Sequence, residues 1–255
     1  MILKQPFFWT SASRTDVGKV RRHNEDACLD LPGCGLWAVA DGMGGHDSGE
    51  VASAAIVETL AGIPCSPSLR GFIDEVEDRL LACHAKLRKL AASRGAGCLV
   101  GATAVVLIAY EGLVVFLWAG DSRLYRYRRG QLQQLTQDHT RVEEMVAAGL
   151  ITRVEARSHP NANVVTRAVG AGEVLYIDVD AEPLEPGDRF VLCSDGLDKE
   201  LDDGEIGAIL ADHAGDNDGD AVEALIHQAL SRTGRDNITV VVATAHPTLN
   251  GRPPR

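Results

Sequence analysis

Residues 102–119 read ATAVVLIAYEGLVVFLWA. Two runs rich in β-branched and aromatic residues, 102–110 and 113–119, stand either side of Glu111-Gly112. Such a pair, joined by a short glycine turn, predicts an antiparallel hairpin. The pattern repeats at once, with residues 124–128 and 131–135 flanking Arg129-Gly130. Working outward, strands are predicted at 7–13 and 36–40 upstream, and at 164–169, 174–179, 190–194 and 238–244 downstream. Helices are predicted in pairs between these groups. The first pair covers about 48–60 and 68–92, where Phe72, Val76, Leu80, Leu87 and Leu90 recur at helical spacing. The second covers 203–211 and 218–231. Thr140 and Glu143 form a capping box for a shorter helix that ends at Gly149. Strands in hairpin-linked groups with helices in pairs suit antiparallel sheets packed on each other, an α+β arrangement, and not an alternating βαβ fold.

The 255 residues carry 45% apolar and 24% charged side chains, enough for a sizeable core and typical of a globular protein. The formal charge of -11 argues against nucleic acid or an anionic membrane as partner. No basic, apolar leader opens the sequence, and residues 102–110 are too few to span a bilayer. A cytoplasmic protein is expected. Its six cysteines form no CxxC pair and are expected to be reduced thiols, mostly buried. Residues 1–245 are read as one domain and 246–255 as a frayed tail.

Four acidic segments lie where strands meet loops: Asn24-Glu25-Asp26, Asp41-Gly42, Ser194-Asp195-Gly196 and Asp236-Asn237. A carboxylate abutting an apolar strand is expensive to bury alone. If the strand ends converge, divalent cations relieve the repulsion, and an all-oxygen donor set favours Mg²⁺ or Mn²⁺ over Zn²⁺. Each segment taken singly is also ordinary turn chemistry.

The segments belong to a longer series. Gly18-Lys19-Val20-Arg21-Arg22-His23-Asn24-Glu25-Asp26 is followed by Val39-Ala40-Asp41-Gly42-Met43-Gly44-Gly45-His46, Gly101-Ala102-Thr103-Ala104 and Ala119-Gly120-Asp121-Ser122-Arg123. Leu135-Thr136-Gln137-Asp138-His139-Thr140, Leu192-Cys193-Ser194-Asp195-Gly196 and Asp236-Asn237-Ile238-Thr239 complete it. In this order the sequence resembles the metal-dependent Ser/Thr protein phosphatases of the protein phosphatase 2C type, in their compact bacterial form. The resemblance implies a four-layer α-β-β-α sandwich, two central mainly antiparallel sheets flanked by helix pairs, with two Mn²⁺ or Mg²⁺ ions at one end. Carried over by position, Asp41 would bridge the ions. Asp195 and Asp236 would hold the first, and Glu25 and the Gly42 carbonyl the second. Asp26 would act through water, and Asp121 would help Asp195 hold a possible third ion. Arg21 falls at the phosphate-binding arginine; outside the motif it would read as a solvated surface residue beside Lys19 and Arg22. The implied reaction is direct attack of an activated water on phosphoserine or phosphothreonine, with no phosphoenzyme.

Met43 stands where many eukaryotic relatives have a histidine that protonates the leaving oxygen. The proton must then come from elsewhere, such as metal-bound water or a nearby histidine: His46 either lies close to the site or pins its loop, His139 is read as structural, and neither is assigned as general acid, while Ser122 and Arg123 are read as shaping their turn. Residues 143–163 match the flap that borders the active site in bacterial members. No P-loop, no Cys-x₅-Arg and no Gly-x-Ser-x-Gly elbow occurs. The alternatives are a silent phosphoprotein-binding module and a small-molecule phosphatase on the same scaffold. The resemblance implies phosphorylated Ser/Thr proteins as partners, among them a cognate kinase or its substrate. A monomer is expected. The opening and the Asp-Gly-Met-Gly-Gly-His region look most like stand-alone members, some of which oppose kinases that control type VI secretion.

Overall fold

The computed structural model describes residues 7–44, 48–66, 68–95, 97–156, 159–215 and 217–248. Two antiparallel sheets pack face to face. One contains β1 (Phe7–Asp16), β11 (Ile238–Pro247), β10 (Arg189–Cys193), β7 (Arg123–Arg128) and β8 (Gln131–Gln134), in that spatial order. The other runs β2 (Asp26–Leu31), β3 (Leu36–Met43), β5 (Ala104–Tyr110), β6 (Leu113–Ala119) and β9 (Asp178–Pro183), with the short β4 (Gly101–Ala102) also on β3. Helices α1 (Ser48–Ala61) and α2 (Leu69–Arg94) cover the second sheet. Helices α6 (Asp203–Asp212) and α7 (Asp218–Ser231) cover the first. This is the expected four-layer α-β-β-α sandwich.

Strand alternation builds the layers. Leu36, Ala38 and Ala40 of β3 face α1 and α2, where they meet Ile56, Leu60, Phe72 and Val76. Trp37 and Val39, one residue out of phase, face the other sheet and meet Phe190, Leu192 and Val241. Val191 of β10 and Val240 and Val242 of β11 turn outward to Ile206, Leu225 and Ile226. Both faces of each central strand are therefore buried, which is why these strands read as nearly unbroken apolar runs. Helix starts are chemically marked: Ser68 caps α2, and Asp202 and Glu205 form a reciprocal capping box on α6.

Several expectations are corrected. Residues 26–31 form a strand that their polar pattern does not predict. Residues 164–169 form no strand; Val165 and Val169 make isolated bridges to Thr140 and Ala102. Of residues 174–179 only the last two join β9, because Leu175 and Ile177 instead pack into the core beneath α2. Residues 246 and 247 are not frayed, since β11 continues to Pro247 and His246 stacks on Phe8; the rest of the expected tail, residues 249–255, lies outside the described residues. The cysteines are not all reduced. Cys34, in the turn after β2, is disulfide-bonded to Cys65, in the loop after α1, and Cys98 is exposed. Among the described residues no helix is long and apolar enough to cross a membrane.

Candidate active site

Antiparallel pairing sets the site. The ends of β1, β3, β6 and β10 and the starts of β2, β7 and β11 all fall at one end of the sandwich, as the registers Asp16↔Ile238, Asp26↔Asp41 and Cys193↔Arg123 show. A cleft of about 320 Å³ opens there, lined by Arg21, Glu25, Asp41, Gly42, Asp121, Asp195 and Asp236 among others. Seven of the eight residues singled out from sequence thus share one cleft. The eighth, Asp26, lies behind it, buried between the sheets.

Asp26 and Asp41 are direct neighbours across β2 and β3. The Ser194 and Thr239 hydroxyls, both from the other sheet, each donate to Oδ2 of Asp26 at 2.7 Å. Those bonds join the two sheets at the floor of the site. Burial pushes the Asp26 carboxyl up to about 7 despite them, with the charges of Asp195 and Asp236 adding to the rise. Asp41 is raised well above the carboxylate range, first by burial and then by Asp26, Asp195 and Asp121. Its backbone is fixed by Thr103, whose hydroxyl accepts the Asp41 N–H at 3.0 Å and whose N–H donates to the Asp41 carbonyl at 2.8 Å.

Gly42 sits where β3 crosses the start of α1. Its N–H donates to the Glu25 carbonyl at 3.0 Å, and a Cβ there would stand 2.5 Å from that same oxygen and closer still to the Gly49 carbonyl. Glu25 points its carboxylate at the Gly49 N–H in the first turn of α1. Burial raises the Glu25 pKa, with Arg21 opposing. The segment carrying Arg21 and Glu25 is held by Asn237. That amide accepts the Glu25 N–H at 2.8 Å and donates to the Val17 and His23 carbonyls at 2.9 and 3.0 Å. Arg21, about half exposed, places Nε 2.8 Å and Nη2 2.9 Å from the two carboxylate oxygens of Asp236. Its Nη1 has no partner among the described residues.

Asp195 follows β10 and pairs with Lys199 through Oδ2, while its Oδ1 is buried with no hydrogen-bond partner among the described residues. An orphaned buried carboxylate oxygen demands a cation or donor. Asp121, between β6 and β7, is pushed up to about 7 by burial and then by Asp195. Among the described residues no three acidic, imidazole or thiol groups already converge on one point, since Asp195 and Asp236 lean toward Lys199 and Arg21. The donor chemistry nonetheless fits hard divalent cations: oxygen atoms only, mutually raised carboxyls and an unpartnered Oδ1.

The neighbouring groups are structural. His139 accepts the Gly120 N–H at Nδ1, lies 3.1 Å from Asp178 at Nε2 and stacks on Trp118. Arg123 is clamped between Asp138 at 2.8 Å and Asp198 at 3.0 Å. His46 lies outside the described residues. Residues 143–163 contain the end of α3 (Arg141–Ala147) and the short α4 (Arg153–Ala156), with Leu150 and Val154 exposed. Asn237, Thr103, Ser194 and Thr239 lie within the sequence motifs, where nothing in the motif gives them a role. Their signal was adjacency to the carboxylates, but their partners are fixed only by the fold.

Comparison with known proteins agrees with this geometry. Residues 18–231 match the family model described as Protein phosphatase 2C. The chain is 33% identical over 246 residues to the serine/threonine phosphatase stp of Listeria monocytogenes, covering 94% of this chain and 97% of that protein. It is similar to the structure of PppA, a key regulatory component of T6SS in Pseudomonas aeruginosa, at TM-score 0.86 and 43% identity, covering 93% and 98% of the two chains. It also resembles the catalytic domain of the serine/threonine protein phosphatase PstP in complex with two manganese ions, at TM-score 0.80 and 33% identity, covering 94% and 99%. Matches of this extent, on a sandwich whose strand ends gather these carboxylates, make the chain a member of the protein phosphatase 2C family of metal-dependent serine/threonine protein phosphatases.

Proposed function

We propose that this phosphatase removes phosphate from phosphoserine and phosphothreonine in proteins by direct attack of water, at a centre built from Asp41, Asp195, Asp236, Glu25 and the Gly42 carbonyl. The observation that carries the reading is the buried, unpartnered Oδ1 of Asp195 beside the raised carboxyls of Asp41 and Asp121. Two Mn²⁺ or Mg²⁺ ions, once held by these groups, supply a lowered water pKa and neutralise phosphate charge, and Asp121 with Asp195 offers a place for a third. Asp26 is the buried support: anchored by Ser194 and Thr239, it orients water through its other oxygen. Arg21 grips phosphate oxygens at the rim and orients the phosphorus for in-line attack. Met43 carries no proton to give, and both ring nitrogens of His139 face structural partners. We assign the proton taken up by the departing alkoxide to water in the cleft.

The physiological reading is a monomer acting in the cytoplasm against a Ser/Thr kinase or that kinase's targets. The similarity to PppA favours substrates linked to a secretion system. The test is hydrolysis of a phosphothreonine peptide, a free nucleotide and a phosphodiester with Mn²⁺ and in excess EDTA. Peptide hydrolysis that requires the metal, with the other two substrates poor, is the expected result. Full activity in EDTA overturns the metal assignment, and preference for the nucleotide or diester overturns the substrate class.

A further inference from the structure

The catalytic cleft opens sideways into a larger groove of about 960 Å³, and Asp121, Asn163, Asp195 and Lys199 line both. One wall is the segment carrying α3 and α4. The other is the junction between the short helix α5 (Asp195–Asp198) and α6, with Arg232 beside it. Apart from Asp121, Asp195 and Lys199, which belong to the catalytic cleft, seven carboxylates and three arginines line this groove.

All three arginines are already engaged. Arg123 is held by Asp138 and Asp198, Arg153 by Glu143 at 3.0 Å, and Arg232 by Glu205. What remains is negative. Among the described residues Glu200 accepts from uncharged donors, the Thr233 hydroxyl and the Thr233, Gly234 and Arg235 N–H groups. Asp202 caps α6 by accepting the Glu205 N–H. Asp203 is exposed and has no ion-pair partner among the described residues. A second feature points the same way. The Asp198 side chain is only 10% exposed, and while its Oδ2 meets Arg123, its Oδ1 is buried and has no partner among the described residues. A groove that has Asp198, with one carboxylate oxygen lacking a partner among the described residues, in its lining and keeps net negative charge along its wall is complementary to cationic side chains.

We propose that this groove receives lysine or arginine side chains flanking the phosphorylated residue, so that the enzyme prefers phosphosites in basic sequence. The inference rests on the phosphoprotein reading above and narrows it. The phosphate is drawn to the cationic, metal-dependent end, and the adjoining chain lies along the acidic wall. An acidic flank meets repulsion in the same place. Exposed ion pairs are individually weak and are screened by salt, so the preference is moderate and falls as ionic strength rises.

The test uses the full chain with Mn²⁺ and two phosphothreonine peptides, identical except for lysines and arginines or glutamines around the phosphoresidue. The basic peptide is expected to show kcat/KM about tenfold higher at low salt, from two or three such contacts. That ratio is expected to shrink in 0.5 M NaCl and to fall toward one in Asp203→Lys, with Asp203→Asn between. Equal kcat/KM for the two peptides in the wild type overturns the proposal, as does a ratio that salt and Asp203→Lys leave unchanged. Failure to hydrolyse either peptide while an aryl phosphate is turned over defeats the phosphoprotein reading instead, so the two failures are distinct.

Discussion

Arg21 and Asp195 mark two separable tasks. Arg21→Ala removes a bidentate anchor for phosphate at the rim, so KM is expected to rise about tenfold while kcat falls less; steady-state kinetics on a phosphopeptide check the split, and an unchanged KM excludes Arg21 from phosphate binding. Asp195→Asn keeps the shape but halves the oxygen donors at the buried end. It should lower kcat by at least about a hundredfold and leave the melting temperature in EDTA little changed, because the weakened Lys199 pair is offset by relief of the repulsion with Asp41 and Asp121. Wild-type turnover in that variant removes Asp195 from the site. These acids were legible in the sequence because each abuts an apolar strand, where a charge needs a reason. Asn237 was not, since nothing in Asp236-Asn237-Ile238 reveals that its amide reaches the Glu25 N–H and the Val17 carbonyl more than two hundred residues away.

At the level of elements, the crossing of β3 over the start of α1 leaves no room for a side chain at position 42. Gly42→Ala is expected to displace Gly49 or Glu25 and to lose about two orders of magnitude in activity, by misplacement of about an ångström; near-normal kcat with normal circular dichroism would show that the crossing tolerates the shift. The disulfide lies at the far end of the second sheet, between the β2–β3 turn and the loop after α1. Cys34→Ser or full reduction should therefore lower stability by about 2–4 kcal/mol without changing kcat, as melting with and without dithiothreitol would report. Hairpins and long helices were readable because periodicity and caps are local. β2 escaped because Asp26 and Asp30 count against a strand until their partners are known: Ser194 and Thr239 for the first, Ser11 and Trp37 for the second. The Cys34–Cys65 pair escaped for the same reason, since spacing says nothing of which loops meet.

For the whole molecule, the gathered carboxylates tie stability to pH and to metal. Without metal, Asp26 and Asp121 titrate at about 7 in the folded protein and Asp41 is also raised, against about 4 when unfolded. The folded state then binds more protons than the unfolded one between these values, so the stability these groups contribute is fully present below about pH 4 and is lost as pH rises through about 7. In EDTA the melting temperature is expected to fall from pH 5 to pH 7.5. Millimolar Mn²⁺ should reverse the trend, with a gap that widens over the same range. A melting curve indifferent to Mn²⁺ at pH 7.5 would count against the metal centre. The pairing of β1 with β11, residue against residue from Phe7↔Pro247 to Asp16↔Ile238, has a temporal consequence. Arg21 and Glu25 meet Asp236 and Asn237 across separations of 215 and 212 residues, so the centre comes together only when that long loop closes, a non-local step that makes it a late product of folding.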